Sequence, residues 1–96
     1  MALVLAVRST AKEGEDDRFA ALLAQLAEAS RQEPGCRFYQ GCRDPENPRA
    51  FLIFEIYDDQ AAFEAHGASE HFQALGPGEA FPLLESRERA FYETLD

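Results

Sequence analysis

The sequence predicts an α+β domain in which a four-stranded antiparallel sheet carries helices on one face. Three observations lead there. Short apolar stretches at residues 2–8 and Ala50–Tyr57 are bounded by turn-forming residues, as strands are. Between them lies one long segment whose Phe19, Leu22, Leu23 and Leu26 recur at helical spacing. The order strand, helix, strand, strand, helix, closed by one more alternating stretch, is that of the split β-α-β topology.

Leu3, Leu5 and Val7 alternate with Ala2, Val4 and Ala6, so the first strand is apolar on both faces. After Gly14, the acidic run Glu15, Asp16, Asp17 complements the dipole of a helix start. Ala20, Ala21, Ala24, Ala27 and Ala29 raise helix propensity until Glu33, Pro34 and Gly35 stop it. A second strand over 36–43 and a third over 50–57 flank the turn Asp44, Pro45, Glu46, Asn47, Pro48, which makes them a hairpin. The third strand is apolar almost throughout and reads as central.

Asp58 or Asp59 caps a short helix with Ala62, Phe63 and His66 on one side, and Gly67 is expected to end it. Ser69 caps another, carrying His71, Phe72 and Leu75, which stops at Gly76, Pro77 and Gly78. Residues 82–96 are ambiguous by periodicity. Leu84, Ser86, Glu88, Ala90 and Tyr92 alternate as in a strand, while Glu85 and Arg89 suit a helical i,i+4 pair. The order of elements selects the strand. Helices of this size cover one sheet face only, yet the first and third strands are apolar on both; a second copy packed through the open sheet face is the simplest cover, which makes a homodimer the expectation.

Ninety-six residues read as one domain, 1–96, because so short a chain does not hold two cores. Eighteen acidic residues against nine basic ones give a net charge of −9, which repels phosphate backbones and anionic lipid; neither nucleic acid nor membrane is an expected partner. The apolar run at residues 2–7 is too short for a signal peptide or a membrane span. Cys36 and Cys42 lie in one strand, roughly 20 Å apart at about 3.3 Å per residue, beyond disulfide reach. Reduced thiols of this kind fit a cytoplasmic setting.

No metal site is expected: the two histidines and two cysteines show no paired ligand spacing, and His66 and His71, five apart, point to different faces of a continuous helix. Neither a phosphate-binding glycine loop nor a nucleophile elbow occurs. A reaction without cofactor, or plain binding, remains.

Glu33, Pro34, Gly35, Cys36, Tyr39, Arg43, Asp44 and Pro45, followed by Phe51, Glu55, Tyr57 and the segment Phe63, Glu64, Ala65, His66, Ser69, His71, Phe72, resemble the antibiotic biosynthesis monooxygenase domain family, and Phe91, Tyr92, Glu93 resemble its closing strand. The resemblance spans nearly the whole chain. It implies a ferredoxin-like fold forming a dimeric α/β barrel, with a small-molecule pocket between sheet and helices. Within the family it implies either a cofactor-free oxygenase of quinols and aromatic phenols, a haem-degrading enzyme, or a protein without assigned activity. Haem degradation fits poorly: it relies on a Trp, an Asn and a late His ligand, whereas this chain has no Trp, its one Asn is Asn47 in the hairpin turn, and the ligand position falls near Gly76. Some oxygenases of the family also use a Trp that is missing here.

Oxygenation without a cofactor needs a substrate electron-rich enough, once deprotonated, to reduce dioxygen itself. The protein then supplies a base, polar groups that orient the ring oxygens and a dry aromatic cage. His66 is the natural base; a structural role, hydrogen-bonded in the core, is its alternative. Glu55, a carboxylate in an apolar strand, needs a partner such as His66, Arg87 or Arg89, and either forms a structural ion pair or orients His66. Tyr39 and Tyr57 are placed to hold substrate oxygens or to pack the core. Phe54, Phe63 and Phe72 are cage or core residues, and His71, beside Glu70, is a pocket residue or a solvated helix end. Two functions follow: an oxygenase of a small aromatic or quinol-like substrate, or a dimeric binding module without catalysis.

Overall fold

The computed structural model describes all residues, 1–96. Its elements run β1 (Leu3–Ala11), α1 (Asp16–Ser30), β2 (Cys36–Arg43), β3 (Ala50–Tyr57), α2 (Gln60–Ala68), α3 (Glu70–Leu75) and β4 (Leu84–Glu93), with two irregular helical turns, Gly76–Ala80 and Phe81–Leu83, before the last strand. The sheet is antiparallel in the order β2-β3-β1-β4. Each half therefore places a strand between the two that the other half's helices connect, which is the ferredoxin-like α+β arrangement. The ambiguous C-terminal stretch is a strand: β4 pairs with β1 from Leu3↔Glu93 to Thr10↔Ser86, with a register shift at Ala11.

Strand alternation divides the sheet into two unlike faces. Leu5, Val7, Ala11, Phe51, Ile53 and Tyr39 turn toward α1 and form one core with its Phe19, Leu22, Leu23, Leu26 and Ala27. Phe19 meets Phe51 edge to ring at 4.8 Å. On the other face Phe38, Leu52, Phe54 and Tyr92 are 36–59% exposed, and nothing in the chain covers them. The sheet is open; a single chain does not close it into a barrel.

Three local features differ from the sequence expectation. First, α1 ends at Ser30, three residues before the Glu33-Pro34-Gly35 stop, and no side chain caps its start, although Arg43 Nη2 reaches Asp16 at 2.6 Å and Asp17 at 3.0 Å across the first turn. Second, Gly67 lies within α2 rather than ending it. The break comes at Ser69, whose extended backbone closes α2 and whose Oγ accepts from Phe72 N to start α3. Third, β1 runs on to Ala11, three residues past the apolar stretch.

Gly35 sets the approach of the chain entering β2. A Cβ on it would stand 2.4 Å from Ala62 Cβ in α2, a separation that packed carbons do not tolerate. This contact draws the turn at residues 31–35 against α2. Gly35→Ala is expected to destabilise the protein by about 1–3 kcal/mol through overpacking, read as a lower midpoint of urea unfolding; an unchanged midpoint would mean that α2 yields freely.

Candidate functional site

Beneath α2 and α3 the helix-facing side of the sheet leaves a cavity of about 120 Å³, walled by Tyr39, Phe63, Phe72 and Phe81 and carrying the polar groups of Ser9, Glu55, His66, Arg87 and Arg89. At roughly 30 Å³ per water, that is the bulk of one small ring. Larger hollows of about 690 and 360 Å³ lie on the open sheet face around Arg8 and Ser86 and in the groove between α1 and β2. Neither reaches Glu55 or His66.

Glu55 faces the cavity because it shares a strand face with Ile53 and Tyr57, and it is 3% exposed. Tyr57 Oη donates to Glu55 Oε1 at 2.5 Å. Burial pushes the carboxyl up to about 7, and the Tyr57 hydrogen bond and the Arg87 charge oppose that rise only in part. Burial, reinforced by the charge of Glu55, raises both the Tyr39 and Tyr57 phenols, so both remain protonated donors at neutral pH. Burial also lowers the Arg87 guanidinium, with Arg89 beside it acting in the same sense.

His66 stands across the cavity from β3, 2% exposed and ringed by Tyr39, Tyr57 and Phe72 at centroid distances of 4.9–5.8 Å. Its Nδ1 donates to Glu33 Oε2 at 2.9 Å, while Nε2 is 3.9 Å from Glu55 Oε1. Burial lowers its pKa against the pull of Glu33, so the neutral ring is favoured. With the proton held on Nδ1, the lone pair of Nε2 looks into the cavity.

The predicted site residues separate accordingly. His66, Glu55, Tyr39, Phe63 and Phe72 converge on the cavity. Tyr57 does not line it; fully buried behind Glu55, its phenol holds that carboxylate rather than a ligand. Phe54 is excluded by strand alternation: its neighbour Glu55 faces the helices, so Phe54 faces the open side, 36% exposed and edge-on to Phe38 at 5.8 Å. His71 is outside the cavity too, and it is not a solvated helix end, since its Nε2 lies 2.5 Å from Glu33 Oε2 and 3.1 Å from Ser69 Oγ.

Two polar site residues escape sequence reasoning. Glu33 reads as part of a helix stop and of the family-like Glu-Pro-Gly-Cys turn, with no site role, yet it bridges both histidines. The clue was its place in the Glu-Pro-Gly-Cys turn that the Gly35 contact pins to α2. Ser9 lies past the apolar run of β1, on the face of Leu5 and Val7; its hydroxyl is buried in the cavity wall with no protein hydrogen-bond partner. His66 and His71 meet at a centroid distance of 6.2 Å, contrary to the expectation of opposed faces, because the break at Ser69 redirects α3.

The profile of the family described as antibiotic biosynthesis monooxygenase matches residues 2–76. PA3566 from Pseudomonas aeruginosa superposes with a TM-score of 0.89 at 31% identity, over 99% of this chain and 95% of that one. A solved antibiotic biosynthesis monooxygenase gives 0.89 at 29% identity over the whole of both chains. The uncharacterised protein sll1783 of Synechocystis is 33% identical over 70 residues, 73% of this chain; the chain spans about half, 48%, of that relative's length.

Glu55 ties stability to pH. Its folded-state pKa of about 7 lies above the ordinary 4.5, so the folded state binds more protons between those values and stability falls as pH rises through that window. Glu55→Gln, which keeps an acceptor for Tyr57, removes the dependence. The unfolding free energy of the variant relative to the parent, from urea titrations, should rise from pH 4.5 to pH 8 by an amount on the order of 3 kcal/mol; a constant difference would show that burial does not raise the Glu55 carboxyl.

Proposed function

Because the chain belongs to the antibiotic biosynthesis monooxygenase family, we propose that it is a cofactor-independent monooxygenase of a small, single-ring hydroquinone or phenol, working as a homodimer. The observation that carries this reading is the convergence of Glu55, His66 Nε2 and the unpartnered Ser9 hydroxyl on one aromatic-walled cavity. A cavity serving only as a packing defect would be apolar. This one offers a proton acceptor and a free hydroxyl to a ligand that is flat and oxygen-bearing at its edge.

In such a reaction a ring hydroxyl gives its proton to the Glu55–His66 pair, with His66 Nε2 as the acceptor and Glu55 as the neighbouring carboxylate. Arg87 and Arg89 sit on the same wall and stabilise the resulting phenolate. The electron-rich anion then reduces dioxygen. For a hydroquinone, one oxygen atom enters the ring in place of hydrogen and the other leaves as water; the substrate supplies all four electrons and ends as a hydroxyquinone. The aromatic wall keeps water from the intermediates.

The volume of about 120 Å³ favours one ring over the polycyclic phenols that the family resemblance also suggests. The homodimer reading rests on Phe38, Leu52, Phe54 and Tyr92, which make an apolar stripe across three strands of the open face. Exposed apolar area of that kind is characteristic of a surface that another protein covers.

Oxygen uptake by chelator-treated protein, measured against a panel of hydroquinones with autoxidation subtracted, should exceed the blank and fall at least ~100-fold in His66→Ala and Glu55→Gln, the scale of a lost acid-base group. Uptake at the blank rate across the panel would point instead to a binding module. By sedimentation at micromolar concentration the protein should run as a dimer and Phe54→Asp as a monomer; a monomeric parent would remove the second copy from the proposal.

A further inference from the structure

The two histidines of this chain and one carboxylate come together from three separate elements, and they do so at the edge of His66 that faces away from the cavity. Glu33 Oε2 lies 2.9 Å from His66 Nδ1 and 2.5 Å from His71 Nε2, and one ligand atom from each of the three residues falls within 4.8 Å of the others. We propose that Glu33, His66 and His71 form a binding site for a divalent transition-metal ion of the zinc, cobalt or nickel type.

Four features support it. The separations are close to what coordination requires. Ligand atoms about 2.0–2.1 Å from a tetrahedral ion stand roughly 3.3 Å apart, so Glu33 must withdraw by less than an ångström from each ring while the two ring nitrogens, within 4.8 Å of one another, close toward that spacing. The donor set, two imidazoles and a carboxylate, suits such ions and leaves coordination positions for water or a further ligand. The site is reachable, with the Glu33 and His71 side chains 15% and 27% exposed, whereas His66 is held rigidly among aromatic rings. The cap at Ser69 fixes the start of α3, where His71 sits.

The fourth feature is the outer shell. A metal-bound histidine characteristically donates its other ring N–H to a carboxylate. Coordination through Nδ1 moves the His66 proton to Nε2, and Glu55 Oε1 is the carboxylate on that side, 3.9 Å away. His71, whose Nε2 donates to Glu33 Oε2 in the metal-free protein, likewise binds with its proton moved to Nδ1. Glu33 supplies the one negative charge of the inner shell. The surplus of negative charge on the protein favours entry of a cation.

This goes beyond the oxygenase reading, which uses metal-free His66: an occupied site puts the ring proton on Nε2 and so removes the proposed base. Titration of the stripped, full-length Cys36→Ser/Cys42→Ser protein with Co²⁺, followed by visible absorption and by calorimetry, should show one saturable site per chain. Zn²⁺ should displace the cobalt. His71→Ala and Glu33→Ala, each confirmed folded by circular dichroism, should weaken binding at least ~10-fold. No saturable binding up to millimolar cobalt, or binding undiminished in both variants, would overturn the proposal. Because the readout is metal occupancy, its failure leaves the oxygen-uptake result standing, and absence of oxygen uptake leaves the metal result standing.

Discussion

Burying a carboxylate without a fixed cation beside it costs several kcal/mol, and Glu55 sits 3% exposed in the middle of a central strand. Its surroundings answer that cost in graded ways. Tyr57 donates a short hydrogen bond, and Arg87 and Arg89 bring positive charge from β4 without forming a close pair. The result is a group poised near neutrality instead of a locked ion pair. Around it Tyr39, Phe63, Phe72 and His66 form the cavity wall. The same burial that takes Glu55 out of water is what raises its proton affinity.

A second constraint is how the covering helices are broken. Had α2 run on unbroken through Ser69, His66 and His71 would point apart. Ser69 ends one helix and caps the next, and its hydroxyl also donates to His66 O at 2.7 Å, so the break is itself held in place. Gly35, meanwhile, lets the turn before β2 press on α2, bringing Glu33 under both rings. No helix of the protein is long and apolar enough to cross a membrane; its apolar surplus is instead on the open sheet face. A fold of this family hosts several chemistries, so the proposed reaction rests on the cavity and not on the architecture.

The fold was legible because each element had its own local signal. Phe19, Leu22, Leu23 and Leu26 marked α1, the Asp-Pro turn marked the hairpin, and Ser69 marked a helix start. Even the ambiguous last segment was resolved by the order of elements, since only a strand there completes the sheet. Of the site, Glu55 and His66 were visible as polar residues in apolar surroundings, which is the strongest anomaly a sequence can display. Phe54 was misplaced because a strand apolar on both faces gives no clue to which face is inward; the pairing of β3 with β1 and β2, and the side on which the helices lie, had to be known. His71 was misjudged because spacing on an ideal helix says nothing once the helix is interrupted.

What the sequence alone determined is therefore the inventory and order of elements, the two-faced apolar sheet and the presence of an ionisable pair in the core. All of these depend on periodicity and composition within a dozen residues. What only the tertiary structure decided is the company each polar group keeps: Tyr57 on Glu55, Glu33 between two histidines, Ser9 unpaired in the cavity wall. Those contacts join residues as much as 38 positions apart, and their geometry comes from how strands register and helices bend, which no local pattern encodes.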